Sequence, residues 1–185
     1  MRNTILIFAS FVLAMLAAPI FAADPLANFY NGQINIAESQ VTALAQAMPA
    51  DKYNFAPTNG SFKGVRTFAQ QVKHVATIIY GVSAPALNEK IPYESGPDVN
   101  GPDSIKTKEQ ILDYLKGAFA MAHKAAGMLT EKNQLERINT AEGPMERLAA
   151  TTMVTWHTFD HYGQMVVYAR MNGVIPGANQ PPAGK

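Results

Sequence analysis

The chain contains no cysteine. That absence excludes thiolate nucleophiles, thiolate metal sites, structural disulfides and a lipid-modified cysteine near the N-terminus. Charge of one sign is also missing: 15 Lys and Arg stand against 14 Asp and Glu, a formal net charge of +1. No basic surplus is left to neutralise a phosphate backbone, so dedicated nucleic-acid binding is excluded as the main role. The only long apolar run, Ile5 to Ala18, is shorter than the roughly 20 residues that a membrane-spanning helix requires.

The remaining composition, 48% hydrophobic and 16% charged over 185 residues, is that of one globular domain able to bury a core. The apolar run follows Arg2 and ends in Pro19-Ile20-Phe21-Ala22-Ala23, the pattern of an export signal cleaved after Ala22 or Ala23. Residues 1–23 are therefore read as a removed leader. The mature protein is expected to be periplasmic or secreted, with no stable membrane anchor. Without disulfides it must be held by its core, and any metal must be bound by nitrogen and oxygen from the 4 histidines and the carboxylates.

Helical periodicity dominates the rest. Pro25 to Met48 reads as a first helix ended by Pro49, followed by an ordered connection through Gly60. A second helix is expected to open at Ser61 or just after it. Its apolar stripe runs from Val65 through Phe68, Val72 and Ile79 to Val82, with Arg66 and Lys73 marking its charged side. From Ser83 to Ser104 four prolines and two glycines form a long crossover, which lets the next helix run parallel to the last. Ser104 or Thr107 caps a third helix reaching about Leu129. After a polar connector, Pro144 is expected at the first position of a fourth helix that ends at Asn172-Gly173.

Chemistry concentrates in Trp156-His157-Thr158-Phe159-Asp160-His161-Tyr162-Gly163-Gln164. Residues four apart on a helix share a face, so His157 and His161 stand where two imidazoles grip one ion. Apolar residues surround them, and burying two imidazoles leaves ring nitrogens that need partners, either a shared cation or water and backbone groups. A third imidazole would complete a three-histidine site, and His74 is the best placed. Taken alone, His74 at the margin of its stripe is more readily a hydrogen-bonded boundary residue, and His123 a boundary or surface one. Gln164 and Tyr168 continue the face of the pair. Asp160 gives His-Thr-Phe-Asp-His a partial likeness to the His-x-x-Glu-His of inverted zinc peptidases, but with a shorter acid and no evident third acidic ligand. It is better read as solvating the helix or orienting a ring.

Several segments together, in order and separation, resemble the DinB-like (DinB/YfiT-like) metalloenzyme family. They are Pro49-Ala50-Asp51-Lys52-Tyr53-Asn54-Phe55-Ala56-Pro57-Thr58, Phe68 with Gln71-Val72-Lys73-His74, the motif His157 to Gln164, and Tyr168 to Pro176. The resemblance spans nearly all of the mature chain. It implies an all-α four-helix bundle over residues 24–178, of up-down-down-up topology, with a flexible tail over 179–185. It also implies that His74, His157 and His161 hold one divalent metal ion, zinc or nickel. Such an ion would make water or a thiol in an open position easier to deprotonate. A hydrolase or a thiol-dependent transferase or isomerase acting on an unidentified small molecule would follow, and a homodimer is implied by analogy. Export counts against the thiol chemistry, because the thiols that those relatives use are cytosolic. A metal- or ligand-binding bundle without turnover is the alternative, since no residue declares itself as general acid or base.

Overall fold

The structure, a computed structural model, describes residues 24–176. The expected leader over 1–23 and the tail over 179–185 lie outside the described residues. Four helices carry the core: α1 (Pro25–Ala47), α2 (Phe68–Ala86), α3 (Lys108–Gly127) and α4 (Arg147–Met171), with a two-stranded sheet, β1 (Arg137–Thr140) and β2 (Gly143–Glu146), before α4.

α1 begins where expected. The Asp24 carboxylate accepts the Leu26 N–H at 2.9 Å and Pro25 occupies the first turn, where a missing N–H costs nothing. The carbonyls at its other end are satisfied from outside. The Tyr53 hydroxyl donates to Ala45 O at 2.6 Å, and the Lys108 ammonium donates to Gln46 O and Met48 O at 2.7 and 2.8 Å.

The second helix starts later than its sequence pattern suggests. Thr67 and Gln70 form a reciprocal capping box, so Phe68 is the first helical residue and Val65 and Arg66 precede the helix. Gly60 (φ 85°) and Gly64 (φ 83°) hold the preceding chain in turns that a helix cannot include. The expected single stripe is also too narrow: every residue from Gln71 to Ala84 is buried. Lys73, expected on a charged side, is 8% exposed, and its ammonium donates to Pro102 O at 2.7 Å.

α2 continues past Ser83 to Ala86, through Pro85. Proline has no N–H for the carbonyl four residues earlier, Gly81 O. That carbonyl instead accepts the Ala141 N–H at 3.1 Å, from the tip of the sheet. A Cβ on Gly81 would lie 3.0 Å from the Ala141 Cβ, so the tip docks where the helix has no side chain.

α3 follows its pattern closely, with Thr107 and Gln110 forming a second capping box. Pro144 does not open the fourth helix. It lies in β2 opposite Asn139, in an antiparallel register that pairs Arg137 with Glu146 and Thr140 with Gly143. Gly143 takes φ 102° at the turn, and α4 begins only at Arg147. The strands are too short, and too poor in alternating apolar residues, for sequence periodicity to reveal them.

α1 and α2 each pack along both α3 and α4 and make little contact with each other, so α1 lies across the core from α2. Phe68, Phe119, Leu44, Leu115 and Met165 fill the centre at 0–1% exposure. Each such side chain contributes about 1.5–3 kcal/mol by leaving water. α2 is thus covered by α3 and α4, by the sheet, and by the crossover that carries a short 3-10 turn, Pro97–Val99.

Candidate metal centre

α2 and α4 bring His74, His157 and His161 together. One ligand atom from each lies within 4.8 Å of the others. The ring centroids are 5.0 Å apart for His74 and His157, 4.6 Å for His74 and His161, and 4.5 Å for His157 and His161. All three are buried, at 7%, 9% and 6% exposure. His74 is therefore no mere boundary residue.

Two of the rings have a defined orientation. His74 Nδ1 lies 2.8 Å from Val99 O, which only accepts, so Nδ1 carries the proton and Nε2 is left with its lone pair. Val99 stands at φ 57°, an uncommon conformation for a β-branched residue that costs on the order of 1–3 kcal/mol, and its carbonyl fixes this ring. His161 Nδ1 donates to Gln71 Oε1 at 2.6 Å, and Gln71 Nε2 donates to Gln164 Oε1 at 3.0 Å. This chain leaves His161 Nε2 with its lone pair in the same way. The third ring has no such support. His157 Nδ1 is buried without a hydrogen-bond partner.

The electrostatics favour neutral rings. Burial, then the charges that His161 and His74 would carry, push His157 down to about 3. Burial, then His74 and Arg66, push His161 down to about 4. Burial also lowers His74, with Arg66 adding to it and the bond to Val99 opposing it. Neutral imidazoles are the ligating form. Three of them, with two tautomers set by outside acceptors and one buried nitrogen unsatisfied, are a donor set that fits a divalent cation.

The other candidates fall elsewhere. His123 on α3 lies between Asn31 Oδ1 at 2.7 Å and Glu38 Oε2 at 3.0 Å, and so ties α3 to α1. Asp160 has a 65% exposed side chain 3.9 Å from His161 Nε2, beyond hydrogen-bond range, and serves the solvated face of α4. Tyr168 packs edge-on against Phe55 with centroids 5.9 Å apart, while Tyr80 sits with Tyr93 and Tyr114. Sequence reasoning missed Gln71, Val99 and Arg66 as parts of the site. Only Gln71 had a local signal, a polar residue one turn before His74 on an apolar helix.

A family model described as the DinB superfamily matches residues 33–165, a span that includes all three histidines. The chain belongs to the DinB superfamily. Its fold is similar to the crystal structure of a DinB-like protein from Bacillus cereus, with a TM-score of 0.64 at 16% identity over 81% of this chain and 95% of that one. A DinB-like protein from Bacillus subtilis is similar at a TM-score of 0.57 and 18% identity, over 83% of this chain and all of the other (100%). No curated protein matches the sequence. At these identities the structural likeness speaks for the fold alone.

Proposed function

We propose that this DinB superfamily member binds one divalent cation, zinc or nickel, through His74, His157 and His161, and uses it as a metal-dependent enzyme on a small molecule outside the cytoplasm. The observation that carries the reading is the buried cluster itself, with its two Nδ1 protons committed to Val99 and Gln71 and its third Nδ1 unsatisfied. The cation, when bound, would make water or a thiol easier to deprotonate near neutral pH. The chain's own contribution is to hold three buried rings neutral, two of them oriented by Val99 and Gln71. Hydrolysis is preferred to thiol transfer, because the export pattern over residues 1–23 removes the protein from cytosolic thiols. In this reading the four helices run up-down-down-up, as the crossover between α2 and α3 permits. A homodimer finds support in the exposed apolar side chains Phe29 and Ile36 on α1 and Val167 and Met171 on α4.

A second reading, cation binding without turnover, is favoured by one observation. Among the described residues the one carboxylate in ion-pair range of the cluster, Asp160, is solvent-exposed, which leaves no obvious general acid or base.

Elemental analysis of the mature protein, made without a histidine tag, tests the shared premise. One equivalent of zinc or nickel in the wild type, lost in His161→Ala, is the expected result. No metal after incubation with zinc, nickel and manganese would end both readings.

A further inference from the structure

Beside the histidine cluster lies a cavity of about 430 Å³, whose wall includes Arg66, Gln70, Gln71 and Gln164, together with Asp98 and Asn100 of the crossover. Its size suits a small organic molecule. Gln71 forms part of its wall and is itself bonded to His161, so the cavity and the cluster share one side chain.

Arg66 is the cation of this cavity, and it is held in place. Its Nε donates to Asn100 Oδ1 at 2.7 Å and its Nη2 to Asp98 O at 2.9 Å. Both acceptors are neutral. Among the described residues Arg66 forms no ion pair, and its hydrogen bonds use Nε and Nη2 while Nη1 makes none. Asp98 reaches Arg66 through its backbone oxygen, and its exposed carboxylate stays outside ion-pair range. A half-buried guanidinium anchored by two neutral oxygens, with charge and N–H donors unspent, is prepared for a planar or tetrahedral oxyanion. The three glutamines add neutral polar groups without adding negative charge.

We infer that the Arg66 cavity binds the anionic group, a carboxylate or phosphate, of the molecule on which the histidine-bound cation acts. This rests on the metal-dependent reading above and narrows its substrate class to small anions. Arg66 takes the charged end, Gln70 and Gln164 flank it, and the remainder of the ligand extends past Gln71 toward the histidines. Arg66 is a binding residue here, and it assigns no proton transfer.

Calorimetric titration of zinc-loaded protein with succinate and, separately, with inorganic phosphate tests the inference. Zinc content is measured on the same samples. The expected result is saturable binding of at least one anion by the wild type, weakened at least tenfold in Arg66→Gln. Arg66→Lys, which keeps a cation able to hold the crossover, should lose part of the affinity and become more sensitive to salt. Preference for succinate or phosphate identifies the anionic group. Zinc uptake by the wild type without anion binding, or with equal binding in Arg66→Gln, overturns this inference alone. Failure of the wild type to take up zinc overturns it together with the metal-dependent reading.

Discussion

Gln71 on α2 accepts the Nδ1 proton of His161 on α4 at 2.6 Å, and its own amide N–H is taken by Gln164 one turn further along α4. A side chain 2% exposed thus sets the tautomer of a ring on another helix. Gln71→Leu should weaken zinc binding by roughly 10–100-fold, while Gln71→Glu, which keeps an acceptor for the Nδ1 proton, should retain most of it. Competition with a chromophoric chelator measures both. Equal affinity in wild type and Gln71→Leu would show that the bond does not orient the ring for metal.

His123 provides a control from the same residue type. It bonds to Asn31 and Glu38 rather than to the cluster. His123→Ala should keep the full zinc stoichiometry and lose about 1 kcal/mol of stability, the scale of a side-chain hydrogen bond. Metal analysis and urea unfolding of the one variant read the two effects separately. Loss of the metal would move His123 into the site.

The metal-free protein should respond to acid through the cluster. His157 and His161 titrate at about 3 and about 4 in the folded chain, against about 6.5 when unfolded. Between those values the unfolded chain binds more protons, so stability rises with pH. The contribution is complete above about pH 6.5 and is lost as pH falls toward about 4 and then about 3. Carboxylates elsewhere also titrate, so the measure is the difference between wild type and His157→Leu in urea midpoint from pH 7.5 to 4.5. The variant should lose less on acidification, and parallel profiles would contradict the assignment.

Gly81 tests how the sheet is fastened to α2. Its carbonyl accepts the Ala141 N–H, and a Cβ would meet the Ala141 Cβ at 3.0 Å. Gly81→Ala should be nearly neutral, because about 1 kcal/mol of helix propensity offsets a slight displacement of the tip. Gly81→Leu should cost about 1–3 kcal/mol and expose the Ala141 amide to hydrogen exchange. Unchanged protection of that amide in Gly81→Leu would mean that the sheet does not depend on this contact.

Much of this architecture was legible along the chain. The Thr107 cap, the apolar spacing of α1 and α3, and the shared face of His157 and His161 are local relations, decided by helix geometry within a few residues. The lack of cysteine restricted any metal site to nitrogen and oxygen before any fold was known. The start of α2 was misplaced because Val65 has helical spacing, although the glycine turns and the Thr67 cap exclude it from the helix. The start of α4 was misplaced because Pro144 suits a helix N-terminus and a short strand alike, and only pairing with Asn139 decides between them.

Local spacing along the chain already sets out four helical segments and two imidazoles on one turn of the last of them. Packing adds that His74 is buried against that pair, that Val99 and Gln71 hold the two rings whose Nε2 lone pairs remain free, and that Arg66, without an ion pair among the described residues, stands beside them. The reason is range. Helical periodicity and caps act over three or four residues, whereas a site assembled from α2, the crossover and α4 depends on which helices pack together, and no local spacing encodes that choice.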